Sequence, residues 1–557
     1  MPRYTIGVDF GSLSGRAILA DTADGRVIAS AQFDYPHQIM DSRLPCGTPL
    51  ARGWALQHPQ DYLDVLDHTL PILASAVDPA DIVGIGIDCT ASTVLPVLAD
   101  GTPLCLTEAF SRCPQAYIMM WKHHGGQNQA RRMTALAKAR EEDWLPFYGG
   151  IVNAEWYFPK LLEVLEEAPE VYRAMAHYVE AADWLIWQLT GRQTRSYGCL
   201  GYKSFYRNGK FPDKSFFADL NPAFENVIEE KVSGPIVPLG ACAGYLTPEA
   251  AARYGLRPGI PVAAGNIDAH ACVPAAGIDG EGKLLAIVGT STCHIVLSKK
   301  ELPVPGMSGV VEHGVLPGLA AYEAGQSCVG DSFHWFERTC VPASVQQEAA
   351  DEKLSVQALL TKKAQALFPG ESGLLALDWF NGNRSVLADA DLTGLILGMT
   401  LQTRPEEIYR ALIEATAYGA RVILEGYRES GVPVASFYAS GGVSQKNALA
   451  MQIYADVLGM PVHIVDAAQG PALGSAIYAA AAAGIYPDAA QGARQMGAKV
   501  SRVYTPVPEH AAVYDRLYRE YKTLHDTFGR GANPVMKTLK SLMKGGYNHA
   551  WFCRYDP

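Results

Sequence analysis

What this chain of 557 residues lacks narrows its chemistry before any motif is read. Its 11 cysteines include no C-x-x-C and no paired spacing of the kind that holds zinc, so neither a redox dithiol nor a thiolate metal centre is written in it. Cys89, Cys272 and Cys328 stand among apolar or small residues, where a free thiol behaves as a small hydrophobe, and a reducing, cytoplasmic setting is expected. No apolar run reaches the ~20 residues that span a bilayer. The most apolar stretch, A-L-G-S-A-I-Y-A-A-A-A-A-G at 472–484, reads instead as a helix packed tightly on a sheet. The opening MPRYTIGVDFG enters a strand pattern at once, without a charged-then-apolar leader. Positive charge is the scarcer sign: 46 Lys and Arg face 57 Asp and Glu, a net charge of −11. Such a field repels nucleic acid and anionic membranes, so neither is expected as a partner, while a local basic site for phosphate is compatible with it.

What is present is an ordinary globular composition, on a chain too long for one core. The two halves open alike. Y-T-I-G-V-D-F-G (4–11), S-L-S-G-R and A-I-L-A-D form an apolar strand, a hydroxyl-bearing turn and a second strand; L-L-A-I-V-G-T-S-T-C-H-I-V-L (284–297) repeats the plan. Both predict hairpins whose turns offer backbone N–H groups and hydroxyls. V-G-I-G-I-D-C-T-A-S-T (83–93) is a third strand ending in an acid and hydroxyls, and helices are predicted around 155–168 and 170–190. A Pro/Gly-marked join at 255–259 divides the chain into domains 1–258 and 259–557. In the second half a helix is predicted over 405–430, a strand over 436–442, a helix from Gln445, a strand over 461–465, then the Ala-rich helix. Strands alternating with helices predict two α/β domains with largely parallel sheets, whose ligands sit at strand carboxyl ends. The chain beyond about 505 reads as helical and charged, and its final dozen residues are assigned no chemistry.

Three turns and one acid are the chemical candidates. In D-F-G-S-L-S-G-R (9–16), Asp9 is placed to hold Mg²⁺ through water, Gly11, Ser12 and Ser14 to meet phosphate oxygens, and Arg16 to add charge. Taken alone, the same residues serve equally as turn formers. The turn carrying Gly289, Thr290 and Ser291, and the strand-to-helix corner with Gly441, Gly442, Gln445 and Asn447, are each as readily plain turns; together with the first they point to a phosphate chain. In G-N-I-D-A-H (265–270), Asp268 follows a short strand and is either a helix cap or an acid facing a ligand.

The order of these elements, D-x-G-S-x-S-x-R, then G-T-S, then G-G-x-x-x-[KQ]-N, resembles the FGGY carbohydrate kinases, the sugar-kinase branch of the actin-like ATPases. The resemblance covers nearly the whole chain. It is strengthened by E-W-Y-F-P-K-L (155–161) and by G-L-I-L-G-M-T-L-Q-T-R-P-E-E-I-Y-R-A-L-I-E (394–414), which is similar to that family's long C-terminal signature. W-A-L-Q-H-P (54–59), D-C-T-A-S-T (88–93), W-K-H-H (121–124), L-G-Y-K-S-F (200–205), Y-E-A-G-Q-S (322–327), L-D-W-F-N-G (377–382) and F-G-R-G-A-N (528–533) are similar to the branch that phosphorylates L-ribulose. One departure is Leu13, which brings no hydroxyl where glycerol-phosphorylating relatives carry T-T-S.

The resemblance implies two actin-like (ribonuclease H-like) domains closing over ATP, Mg²⁺ and a sugar, in a homodimer. It implies transfer of phosphate to O5 of L-ribulose in L-arabinose breakdown, with Asp268 as general base and, beside Asp9, as a metal carboxylate. Lys203, Glu323, Trp121, Asp88 and Thr90 are the implied sugar contacts, although without the resemblance Lys203 reads as well as a surface lysine and Trp121 as a core aromatic. Kinases for another ketopentose or a pentitol, such as xylulose or ribitol, share the same nucleotide motifs. A non-catalytic sugar or ATP sensor is the alternative of another class.

Overall fold

A computed structural model of the protein describes residues 2–467 and 469–545; the final dozen residues lie outside it. Each half is built on a seven-stranded sheet. In the first, strands Tyr4–Phe10, Ser14–Asp21 and Val27–Asp34 run antiparallel in sequence order. Ile82–Cys89 then joins Tyr4–Phe10 in parallel. Pro261–Ala263 and Asn266–Ile267 both pair in parallel with Ile82–Cys89, and Cys242–Tyr245 closes the edge antiparallel. The second sheet repeats this plan: Lys283–Val288, Thr292–Ser298 and Ala320–Gln326 are antiparallel, and Ser436–Ser440 and Val462–Val465 add in parallel. Both sheets are therefore mixed, not largely parallel, because each domain opens on a hairpin and only helix crossovers can return a strand in parallel.

Three further expectations are corrected. The segment 170–190 is not one helix: Pro169–Ala174 ends at Met175, and His177–Glu180 pairs antiparallel with Val94–Val97 before helix Ala181–Thr190 begins. Val179 and Tyr178 are better used there as strand residues, since β-branched and aromatic side chains fit a half-buried pleat. The expected join at 258–259 falls before strands Pro261–Ala263 and Asn266–Ile267, so the first sheet extends to Ile267. The 436–442 strand ends at Ser440, where Gly441 takes a φ of 92° that starts the next helix.

The Ala-rich helix, Gly470–Ala482, packs tightly on a sheet as expected, but the sheet belongs to the first half. Its backbone lies on a stripe of glycines: a Cβ on Gly7 would stand 1.8 Å from the Ala472 carbonyl oxygen, and one on Gly86 2.0 Å from that of Ser475. Thr5 donates its hydroxyl to the Ala476 carbonyl at 2.9 Å. On the helix's other side, a Cβ on Gly474 would lie 1.8 Å from the Ala271 carbonyl oxygen, in the helix Asp268–Ala275. Gly474→Ala therefore forces the two halves apart, and a loss of about 3 kcal/mol, the upper end of the overpacking range, is expected as a lowered urea midpoint. An unchanged midpoint would show that the helix contact does not hold the halves together.

Helix Pro405–Glu429 forms the second half's spine. Proline at its first position and Glu406 and Glu407 in its first turn suit an N-terminus, and its buried face carries Tyr409, Leu412, Ile413 and Ile423. The ten described cysteines are all free. Among the described residues no helix is long and apolar enough to cross a membrane.

Candidate active site

Three carboxylates converge where the first sheet's parallel strands end. Asp9 and Asp88 are register partners on neighbouring strands. Asn266 and Ile267 pair with Asp88 and Cys89, and the chain then turns directly into a helix whose first residue is Asp268. Ile267 holds the cap position, so Asp268 is not the cap; its Oδ1 accepts the Ala269 N–H at 2.6 Å. Burial pushes the Asp268 carboxyl up to about 7, with the neighbouring Asp9 charge adding to the rise. Burial likewise raises Asp9, opposed by a hydrogen bond from Asp88 and by the Arg16 charge. Asp88 is raised further still, by burial and by Asp9, and its Oδ2 accepts the Ser475 hydroxyl at 2.5 Å. Asp88 thus stands buried beside Asp9 on the neighbouring strand, while Asp9 is the one of the two that faces the cleft.

Asp9 and Asp268 floor a cleft of about 530 Å³ between the halves. Of the expected residues it brings together Asp9, Gly11, Ser12, Ser14, Arg16, Thr90, Trp121, Lys203, Asp268, Ser291 and Glu323. At one end the Lys203 ammonium, from the first half, meets both Glu323 oxygens at 3.0 and 3.1 Å. His270 adds a contact from Nε2 to Glu323 Oε2 at 2.9 Å. Burial would raise Glu323, yet Lys203 and the His270 hydrogen bond hold it well below the carboxylate range. Burial lowers His270, so the ring is neutral and Nε2 is the donor. Lys203 is almost wholly buried, which removes the surface-lysine reading.

Trp121 is not a core aromatic: it is half-buried on the cleft and its indole N–H donates to Ser12 Oγ at 3.0 Å, linking its segment to the first hydroxyl turn. Lys160 is buried behind it and donates to the carbonyls of Ser92 and Met120 at 2.7 and 2.9 Å, fixing the 88–93 turn against the Trp121 segment. Burial lowers its ammonium to about 7.

At the other end stand the turns. In the first, Gly11 N–H donates to the Ser14 carbonyl, leaving Leu13 exposed at the cleft mouth. In the second, the Gly289 carbonyl accepts from Gly330 N–H and that of Thr290 from Val329 and Asp331, so the turn is pinned to the start of helix Gly330–Thr339. The third corner lies beside it, since Ser440 is the register partner of Ile287 and a Cβ on Gly441 would meet the Val288 carbonyl oxygen at 2.6 Å.

Some expected contacts are placed elsewhere. Asp88 is fully buried and does not line the cleft, because Asp9 and Ser475 cover it. Thr90 lines the cleft, but its hydroxyl is bonded to that of Thr93 at 2.6 Å. Asn447 is buried; its Oδ1 caps the next helix through Ala450 N–H and its amide donates to the Tyr409 hydroxyl, so the side chain does not face a ligand. Gln445 donates to the Val465 carbonyl and lies, with Gly441 and Gly442, outside the cleft lining. Sequence reading passed over Glu155, Lys160, His270 and Arg384. The first three sit inside motifs it quoted, and Arg384 follows L-D-W-F-N-G by two residues.

The N-terminal domain of the FGGY family of carbohydrate kinases matches residues 4–273, and the family's C-terminal domain matches residues 284–483. The chain is 50% identical to a ribulokinase of Bacillus licheniformis, over 95% of this chain and 97% of that one. It is 48% identical to a ribulokinase of Halalkalibacterium halodurans, over 97% of each. Among solved structures it is similar to a xylulose kinase from Rhodospirillum rubrum, with 26% identity and a TM-score of 0.76 over 94% of this chain and 98% of that one. Its fold is also that of the ADP-bound Plasmodium falciparum glycerol kinase, at 15% identity and a TM-score of 0.74 over 94% of this chain and 98% of that one. The two domain matches in order, the full-length relatives and the shared two-domain, actin-like architecture agree: the protein belongs to the FGGY family of carbohydrate kinases.

Proposed function

We infer that the chain transfers the γ-phosphoryl group of ATP to ribulose, giving ribulose 5-phosphate as a step of arabinose breakdown. The observation that carries this reading is the 50% identity to a ribulokinase over nearly the full length of both chains. The cleft supplies the chemistry such a step needs. The sugar's terminal hydroxyl faces Asp268; its oxygen forms the new bond to phosphorus as the bond from phosphorus to the β,γ-bridging oxygen breaks. ADP leaves with that electron pair, and the hydroxyl proton passes to an Asp268 oxygen. In a loose transition state the proton departs late, so an oriented carboxylate near neutrality is a competent acceptor. The Lys203–Glu323 pair offers donors and acceptors at once, as a polyol requires, and a pocket built to bond hydroxyls rejects analogues lacking them.

The buried acids fit a magnesium ion. Asp9 and Asp268 repel one another, and among the described residues neither is in a close ion pair; Arg16 stands 4.0 Å from Asp9. These two carboxylates would hold the ion through water, where it supplies positive charge to the phosphates. The hydroxyl turns at 11–14 and 289–291 would flank those phosphates from the two halves.

The test is ADP release from ATP in the presence of L-ribulose, D-ribulose, D-xylulose and ribitol in turn. Fastest turnover with ribulose is expected. Preference for xylulose or ribitol would move the chain to another branch of the family, and sugar binding without ADP release would make it a sensor.

A further inference from the structure

The cleft holds a second pair of opposite charges that mirrors the first. Lys203 comes from the first half and Glu323 from the second; Glu155 comes from the first half and Arg384 from the second. All four side chains line the cleft. The pairs differ in one respect. Lys203 and Glu323 are hydrogen-bonded to each other, whereas the nearest approach of Arg384 to Glu155 is Nη2 to Oε2 at 3.9 Å, too long for a hydrogen bond. Among the described residues the Arg384 guanidinium makes no hydrogen bond at all, so a group lining the cleft keeps its N–H donors unpaired.

The surrounding chain fixes where this group stands. Ser385 N–H donates to the Gly325 carbonyl and Gly325 N–H to the Ser385 hydroxyl, docking the segment on the strand that carries Glu323. Gly325 makes the room: a Cβ there would lie 2.7 Å from Arg384 Cδ. Gly325 and Glu323 are two apart on one strand and so share its cleft face. Glu155 is held from behind by His124 Nε2, 3.1 Å from Oε1. Burial would raise Glu155, but Arg384 and then His124 bring it below its ordinary value, so it is an anion whose Oε2 is left to accept.

We propose that Arg384 is a sugar-binding residue, its guanidinium donating to hydroxyl oxygens of the bound sugar while Glu155 Oε2 accepts from the same hydroxyls. A hydroxyl both donates and accepts, so it bridges a guanidinium and a carboxylate 3.9 Å apart where neither reaches the other. Because the two groups belong to different halves, a sugar bound between them also ties the halves together. The inference rests on the reading of the cleft as a pentulose kinase site.

The experiment uses the full chain. The parent is first assayed against the sugar panel, and its best substrate is used thereafter, so an error in the choice of ribulose does not disturb the second arm. Arg384→Gln and Arg384→Lys are then compared with the parent for KM of sugar and of ATP, and for sugar binding by calorimetry without ATP. Arg384→Gln is expected to raise the sugar's KM and Kd at least tenfold, with the KM of ATP within twofold. Arg384→Lys, which keeps the charge but loses the planar fork, is expected to fall between. Arg384→Gln/Glu155→Gln is expected to bind sugar no more weakly than the poorer single variant, because both groups serve the same hydroxyls. A sugar Kd within twofold of the parent in both Arg384 variants, or a loss confined to ATP, overturns the proposal. If Arg384→Gln fails to fold, the lysine variant alone decides by the same criteria.

Discussion

Asp268→Asn is expected to lower kcat by about 10²–10⁴-fold, the usual contribution of a positioned general base, while the sugar's Kd changes little. The asparagine keeps the shape of the side chain and an oxygen to accept from Ala269 N–H, so the cleft should survive. Its amide cannot take a proton, and the attacking hydroxyl must then lose its own to water. The pH profile gives a second readout. Burial, with Asp9 beside it, pushes the Asp268 carboxyl up to about 7. In the parent, kcat/KM should therefore fall below that pH as the base is protonated, and in Asp268→Asn the residual rate should lose this limb. Stability moves the opposite way. The folded state retains a proton on Asp268 up to about pH 7, whereas an unfolded aspartate releases it near ~3.9. Across that window the folded state binds more protons, so the parent loses stability as pH rises. The amide of the variant does not titrate, so Asp268→Asn should melt above the parent at pH 8, with the gap closing toward pH 4. Near-parental turnover would remove Asp268 from the base role; a Tm gap that does not vary with pH would show that the carboxyl is not buried as an anion.

How much of this was legible in the sequence depends on the range over which each feature is determined. The hairpins at 4–21 and 284–298 were readable because a turn between two apolar runs is a local matter. So was Asp268, placed one residue after a short strand. The Ala-rich helix was recognised as tightly packed, but nothing in its own residues says that the glycines it meets are Gly7 and Gly86, far back in the first half. The pairing of Pro261–Ala263 and Asn266–Ile267 with Ile82–Cys89, equally distant in sequence, carries the first sheet past 258, where a Pro/Gly-rich segment looks like a join. Asn447 shows the reverse failure. An amide at the start of a helix suits a ligand or the helix itself, and only the position of Tyr409 and of Ala450 N–H decides for the helix. Arg384 was missed because its significance comes from Gly325 and Glu155, on other segments; the sequence shows only an arginine after a turn.

Glu323→Gln should carry the second large effect, and here binding and folding are separable. The side chain takes two hydrogen bonds from Lys203 and one from His270 in a site from which water is largely removed. Gln neutralises the charge and leaves the Lys203 ammonium buried without its counter-ion, which costs about 3–5 kcal/mol in stability. For the sugar, loss of the acceptor and of the order it imposes on Lys203 is expected to raise KM about 100-fold, equivalent to ~2.7 kcal/mol, with the KM of ATP nearly unchanged. Replacing both partners, in Lys203→Met/Glu323→Leu, removes the unpaired charge. That variant should regain most of the lost stability, since an apolar pair of similar volume is tolerated where half an ion pair is not. It should not regain sugar binding. If it did, the pair would be a structural bridge between the halves and the hydroxyl-bonding role would be wrong. The pH dependence separates the two acids further. Lys203 and the His270 hydrogen bond hold Glu323 well below the carboxylate range, so it stays ionised as pH falls through 7. Between pH 7 and pH 5 the sugar's Kd should thus hold steady while kcat declines with the protonation of Asp268. A Kd that weakens in step with kcat would mean that one acid serves both binding and proton transfer, which the 2.9–3.1 Å contacts around Glu323 argue against.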